Sequence, residues 1–162
     1  MPEFTHELVV PTDRHRVRFV LHTGVESENI APHWHRALEV SCMLDWPLSE
    51  IFLEGRLHRM ETGRVWVANS SDPHYIHGIK NATSHRAVTI LFPYSYVCEI
   101  FPDFPGGSIR INDLASLGRR QLALIHERIF PLFWRASDLL EDEDDAFRHI
   151  ELESIQLQIL LI

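Results

Sequence analysis

Short apolar runs alternate with polar positions over residues 1–92, and Gly, Pro and Asn turns separate them. This spacing predicts many short antiparallel strands. So many strands favour a closed architecture, because closure removes exposed strand edges. We therefore predict a mainly β jelly-roll barrel whose strands fall at residues 7–10, 17–23, 33–44, 49–53, 57–60, 64–68, 75–80 and 85–92.

The hydrophobic period changes from Asp113 onward. Apolar residues then recur at three- and four-residue steps, the seam of an amphipathic helix, at Leu122, Ile125, Ile129, Leu132 and Ala136. Pro131 predicts a kink, or a second helix that starts there. Another apolar-rich helix is expected from residue 146 to the end. The predicted division is a barrel with an N-terminal arm at 1–111 and a helical segment at 112–162.

Composition narrows the classes of function. The 162 residues carry a formal charge of −8, which argues against direct phosphate binding by this segment. Cys42 and Cys98 are far apart, each in an apolar run, so we expect reduced, buried thiols. Neither a basic-then-apolar leader nor an apolar run long enough for a membrane helix is found in the sequence. The expected location is cytoplasmic, with no membrane partner.

The candidate metal-binding or ligand-binding residues are concentrated in the segment from Pro32 to Glu39. On one strand His33, His35 and Glu39 would project from the same side, since side chains alternate between faces. His74, in the turn Asp72-Pro73-His74, is the candidate fourth group. Imidazoles and a carboxylate on one face suit a divalent transition metal such as Zn, Ni or Fe. Alternatively, the same side chains form a polar pocket that binds a small effector by hydrogen bonds.

These two segments resemble the two signature motifs of the cupin superfamily. More narrowly, they are similar to the sensor domain of AraC-type transcription regulators. The first motif is His-Trp-His-x3-Glu, and the second is a Gly-x5-Asn-x4-His pattern made by Gly63, Asn69 and His74. Cupin motif one usually ends in a glycine, whereas here the turn contains Asp45-Trp46-Pro47-Leu48. This departure weakens the match to cupin enzymes more than the match to the regulators.

The resemblance implies a cupin-type double-stranded β-helix that binds a small effector, such as a sugar or a related metabolite. DNA contact would come only from a helix-turn-helix domain C-terminal to this chain. The chain stops inside an apolar helical pattern at Leu160-Leu161-Ile162, which is expected of a domain cut from a longer protein. The family's helices commonly form a homodimer, and the seam from Leu122 to Leu132 is a candidate surface. Packing of that seam on its own barrel is the alternative.

Strand parity extends the expected pocket. Ser41 and Met43 would continue the inward face, and Ile76 would share it with His74. Arg86 is proposed from the resemblance as a ligand contact, with Val88 and Ile90 following inward, although a rim position without a role is the alternative. His77 is expected outside the cavity. For the strand that contains Trp66, the sequence does not decide which face points inward. The expected ligand-binding set is His33, His35, Glu39, Met43, His74, Ile76, Arg86 and Val88.

Two functions from different classes remain. The first is the effector-binding and dimerisation domain of a transcription regulator, which is not an enzyme. The second is a metal-dependent cupin enzyme, a dioxygenase or isomerase, with His33, His35, Glu39 and His74 as ligands. We expect the first, since no general acid or base stands out beyond the candidate ligands.

Overall fold

The computed structural model describes residues 3–11, 14–24, 30–46, 48–77, 85–142 and 144–162. Nine strands precede the helices in this part of the chain. Their bounds are β1 Thr5–His6, β2 Arg18–Gly24, β3 Ile30–Trp34, β4 Leu38–Asp45, β5 Ser49–Leu53, β6 Arg56–Met60, β7 Val65–Ala68, β8 His74–His77 and β9 His85–Phe92.

The strands form two sheets, and the chain crosses between them. One sheet has the order β1-β3-β8-β5-β6 and the other β2-β9-β4-β7. All pairings are antiparallel except that of β1 with β3. Successive strands such as β3 and β4 belong to opposite sheets, so the chain rolls around a shared interior. The mainly β, jelly-roll fold predicted from the spacing is confirmed.

The strand predictions match the hairpin and the last strand and miss the first short strand. Ser49–Leu53 pairs with Arg56–Met60, and both Glu54 and Gly55 between them have positive φ, as a two-residue primed turn requires. Residues 7–10 do not form the predicted strand. The short strand of the arm is β1, Thr5–His6, and the Glu7 N–H that follows it donates to the Trp34 carbonyl. Neighbouring β3 therefore decides which residues of the arm are extended.

The four-stranded sheet is buried on both faces. Its interior face carries Met43, Trp66 and Ala87 within one apolar cluster. Its outer face carries a second cluster that also includes helical residues. Alternate residues of β4, β7 and β9 therefore belong to different cores. Because both faces of β7 and most of both faces of β9 are apolar, these two strands lack the polar-apolar alternation that identifies an inward face.

The helices follow the last strand and cover the outer face of the four-stranded sheet. They are α1 Tyr94–Ile100, a 3₁₀ turn Leu114–Ser116, α2 Arg119–Leu124, a π-helical segment Ile125–Ile129, α3 Phe130–Glu141 and α4 Arg148–Leu161. No helix starts at Pro131; instead the helical register changes just before it. The Phe130 N–H donates to the Ile125 carbonyl, five residues back, and the helix continues into α3.

The amphipathic seam packs against the chain's own barrel. Ile125, Ile129 and Ala136 are buried in the outer cluster, Leu132 packs against it, and α3 contacts β4 and β9. The prediction that this seam is a dimer surface is therefore wrong, and the alternative interpretation is the observed one. The three buried side chains therefore belong to the chain's own core.

Candidate functional site

Four side chains from three strands and one bend converge at one end of the barrel. His33 lies on β3, His35 in the bend that follows, Glu39 on β4 and His74 at the start of β8. One potential ligand atom from each lies within 4.8 Å of the others. The single strand expected for the first three is instead two strands of different sheets. The bend between them still brings the side chains together.

The turn before β8 fixes the position of His74. The Asn69 backbone N–H and its side-chain amide donate to the Asp72 carboxylate at 3.0 and 3.2 Å. The Ser71 N–H donates to the His35 carbonyl at 2.8 Å. Ser71 has a positive φ of 71°, which a turn with these bonds imposes. The turn thereby connects the second motif directly to the bend of the first.

Each histidine uses Nδ1 to bind a backbone carbonyl. Nδ1 lies 2.8 Å from the Ala31 oxygen in His33, 3.2 Å from the Ala37 oxygen in His35 and 2.8 Å from the Asp72 oxygen in His74. A carbonyl can only accept, so Nδ1 carries the proton and Nε2 is left with its lone pair in the neutral ring. Such backbone bonds are what orients histidine ligands in metal sites.

Glu39 lies at the centre of the cluster and is buried. Its Oε2 is 2.9 Å from Nε2 of His35 and 3.1 Å from Nε2 of His74. Burial would raise the pKa of Glu39, but the bonds to the two histidines outweigh burial and hold that pKa well below its usual range. Burial also opposes the charged form of His74, yet the hydrogen bond and charge of Glu39 raise its pKa.

His33 completes the cluster on its more accessible side. Burial, together with the nearby His74, lowers the pKa of His33 and favours the neutral ring that binds metals. Its Nε2 lies 3.4 Å from Oε2 of Glu7. Glu7 lies just after β1 and was missed by sequence reasoning, because only the pairing of β1 with β3 brings it here. No local spacing could have identified it.

The donor set fits a divalent transition metal. With each Nδ1–H already bound to a carbonyl, short contacts between Nε2 and an ionised carboxylate need an extra proton on each ring or a cation between them. Three imidazole nitrogens and one carboxylate oxygen are a donor set used by Zn, Fe and Ni. A single metal ion would satisfy all the Nε2 atoms without two buried imidazolium charges.

A chain of hydroxyls approaches Glu39 from the opposite side. Ser41 donates to Oε1 of Glu39 at 3.1 Å, and its oxygen lies 2.6 Å from the Thr89 hydroxyl. The Thr89 hydroxyl is in turn 3.1 Å from Nε2 of His22. With Oε1 engaged by Ser41, only Oε2 faces the histidines. The expected inward orientation of Ser41 is what the structure shows, and Thr89 and His22 were missed.

The other expected pocket residues divide between the two faces. Met43 and Ile76 lie in the interior cluster, as does Trp66, whose face the sequence left open. Val88 and Ile90 lie in the outer cluster beneath the helices, so their predicted inward orientation is wrong. The even-numbered residues of β9 were assigned to the interior from the sequence alone, because both faces of this strand are largely apolar and the pattern does not distinguish them.

Arg86 also points away from the barrel interior. Its guanidinium donates to the Ser137 hydroxyl at 3.2 Å and to the Glu141 carboxylate at 2.6 Å, both on α3. The prediction that Arg86 contacts a ligand in the barrel is therefore corrected: it joins β9 to the helical layer. The expected Pro47 turn, the side chain of His77 and the turn at residues 81–83 lie outside the described residues.

Comparisons with known proteins find only distant structural similarity. No family model matches the chain, and no curated protein matches it. A predicted oxalate decarboxylase from Thermotoga maritima is 16% identical with a TM-score of 0.43, over 48% of this chain and 68% of that one. A cupin superfamily protein from Desulfitobacterium hafniense is 14% identical with a TM-score of 0.42, over 52% and 72%. An HTH_3 family transcriptional regulator from Vibrio cholerae is 15% identical with a TM-score of 0.38, over 47% and 42%.

These similar structures are thus a predicted oxalate decarboxylase, a cupin superfamily protein and a transcriptional regulator. Among the described residues no helix combines the length and apolar character needed to cross a bilayer. The strand order, the shared interior and the helices after β9 together define the architecture. The chain is a mainly β, two-sheet jelly roll followed by C-terminal helices.

Proposed function

We propose that the chain is the effector-binding domain of an AraC-type transcription regulator with a metal centre at His33, His35, Glu39 and His74. The observation that carries the proposal is the convergence of these four groups, with every Nδ1 bound to a carbonyl. Residues 1–111 would bind the effector, and residues 112–162 would connect it to a helix-turn-helix domain. The metal would be Zn, Ni or Fe and would supply a Lewis-acidic point that binds an effector oxygen.

The packing of the helices supports a signalling role. α3 lies against β4 and β9, the strands that carry Glu39, Ser41 and Thr89 on their interior side. Arg86 on β9 also bonds to α3. Any shift of these strands on effector binding would therefore reach the helices. Such coupling requires the effector to bind one arrangement of the helices more tightly than another.

The exposed face of α4 supports a homodimer. Phe147, Ile150, Leu157 and Leu161 are exposed, and with Ser154 they are spaced by alternate steps of three and four residues. This is the spacing of a two-stranded coiled-coil seam. Such a seam can pair with a second copy of itself. We therefore transfer the proposed dimer surface from the buried seam to α4.

A charge on this face should prevent the dimer. We expect Leu157→Glu to reduce the molecular mass measured by light scattering from that of a dimer to that of a monomer, because a buried unpaired carboxylate opposes association. Gln158→Glu adds a charge at the neighbouring exposed position and should keep the wild-type mass. A monomeric wild type, or an unchanged mass for Leu157→Glu, would remove α4 as the interface.

Elemental analysis tests the metal centre. The purified wild-type chain should contain one transition-metal ion per chain, and His33→Ala and His74→Ala should lose most of it. His126→Ala removes an exposed histidine outside the cluster and should keep the metal. Wild-type protein without stoichiometric metal after incubation with Zn, Ni or Fe would refute the metal centre and leave the hydrogen-bonding pocket.

A metal-dependent enzyme is the second candidate, and Glu7 is the observation that favours it. Its carboxylate lies 3.4 Å from Nε2 of His33 and is outside the four-residue cluster. A carboxylate beside a metal centre can accept a proton from a bound substrate. Glu7 also lies 3.3 Å from Arg18, however, and this ion pair is an equally good structural reason for its position.

A further inference from the structure

Trp66 places an unpartnered hydrogen-bond donor inside the barrel. The residue is 2% exposed, and its Nε1 is buried without a hydrogen-bond partner among the described residues. A buried indole N–H usually finds an acceptor. A phenylalanine would fill an apolar interior without this cost, so the N–H calls for an acceptor that the described residues do not supply.

Trp66 lies on the same inward face as the four-residue cluster, close to His74. Trp66 is opposite Ser41 in the register of β7 and β4, and therefore shares its inward face. The Trp66 ring centroid is 6.2 Å from that of His74. One small molecule can thus contact both the indole N–H and a metal bound by His74. The neighbouring surface is apolar, from Met43, Ile76 and Ala87.

We propose that the ligand of this barrel is a small carboxylate with a short apolar chain. The inference rests on the proposed metal centre: one carboxylate oxygen would bind the metal and the other would accept from Nε1 of Trp66. The indole nitrogen only donates, so its partner must be an acceptor. A divalent metal with three neutral imidazoles and one carboxylate keeps a net positive charge, which a second anion neutralises. Met43, Ile76 and Ala87 would contact the apolar chain.

The same surroundings disfavour a neutral polyol such as a sugar. Its hydroxyls each need donors and acceptors, and the wall formed by Met43, Ile76 and Ala87 offers neither. Ser41 bonds to Glu39 and to Thr89, and Thr89 also bonds to His22, so the capacity of both hydroxyls is largely used. The ligand class therefore follows from one donor, one positive centre and an apolar wall.

Butyrate is a suitable probe, with butanol and butyramide as neutral molecules of similar shape. Isothermal titration of metal-loaded wild-type protein should show butyrate binding at least about 10-fold more tightly than either neutral compound. Trp66→Phe should weaken butyrate binding by roughly 10- to 100-fold, the range for a hydrogen bond to a charged group. Its metal content should not change. Trp46→Phe is the matched control, because Trp46 shares the interior cluster but donates to Ser49 at 2.9 Å.

The outcomes separate the two proposals. Metal content is measured first, and a wild type without metal refutes the metal centre before any ligand is added. A metal-loaded wild type that binds butyrate no better than butanol overturns the carboxylate inference alone. Unchanged butyrate affinity in Trp66→Phe also overturns it, since the indole N–H would then have no part in binding. If Trp66→Phe does not fold, the comparison of butyrate with butanol on wild-type protein still decides.

Discussion

Replacing Glu39 by glutamine is expected to lower the affinity for a divalent transition metal by roughly 100- to 1,000-fold. Structural zinc sites with four ligands bind with about 10–16 kcal/mol, so one ligand is worth about 2.5–4 kcal/mol on average. Glu39 is also the one anionic member of the four-residue cluster, and its oxygen is shared by His35 and His74. A neutral amide keeps the shape of the side chain and removes the charge that attracts the cation.

Competition with a metal chelator measures this loss directly. Glu61→Gln is the control, because Glu61 is an exposed glutamate paired with Arg59 at 3.0 Å and lies outside the cluster. Its metal affinity should equal that of the wild type. Thermal unfolding provides a second readout, since a ligand that binds only the folded state raises the melting temperature. A metal-dependent rise that persists in Glu39→Gln would contradict the assignment of Glu39 as a ligand.

The convergence of the cluster was predictable because its information is local. His33, His35 and Glu39 are close in sequence, so almost any extended path keeps them near one another. The structure nevertheless uses two strands and a bend, rather than one strand. The approach of His74 is not local, and it was inferred from the resemblance of the second motif. The bonds from Asn69 to Asp72 and from Ser71 to the His35 carbonyl are what bring it there.

The lining of the barrel was less predictable, because periodicity shows alternation but not which side is inward. On β9 both alternating sets are buried, one in the interior cluster and one beneath the helices. Arg86 and Val88 were therefore assigned to the wrong face. Thr89, the polar residue in the middle of this strand, is small and is compatible with either face. Trp66 could not be placed at all, since Val65 and Val67 are as apolar as the tryptophan.

For the helices too, periodicity predicts the type of element but not the surface against which it packs. The seam from Leu122 to Ala136 was correctly identified as helical from its period, yet a period does not name the surface that covers it. α1, Tyr94–Ile100, was not predicted, because it is too short to show a repeated period. Its buried residues are Tyr96 and Val97. Packing against the sheet stabilises this helix, as is general for helices of such length.

Replacing Phe133 by alanine is expected to lower the free energy of unfolding by about 3–5 kcal/mol, the usual cost of truncating a buried aromatic side chain. Phe133 is 0% exposed and belongs to the outer cluster, between α3 and the four-stranded sheet. Domains of this kind are stable by about 5–15 kcal/mol, so this single change removes a large share. Urea unfolding at equilibrium measures the difference.

Leu57→Ala is the control for this prediction, because Leu57 on β6 is 52% exposed and should change the free energy by no more than about 0.5 kcal/mol. Phe133 lies beneath the helices, on the opposite face of the sheet from Glu39. Folded Phe133→Ala protein should therefore keep its metal, whereas Glu39→Gln loses the metal and keeps the helical packing. A Phe133→Ala protein as stable as the wild type would mean that α3 does not pack on the sheet. A change in the barrel interior would then not be transmitted to the helices through α3.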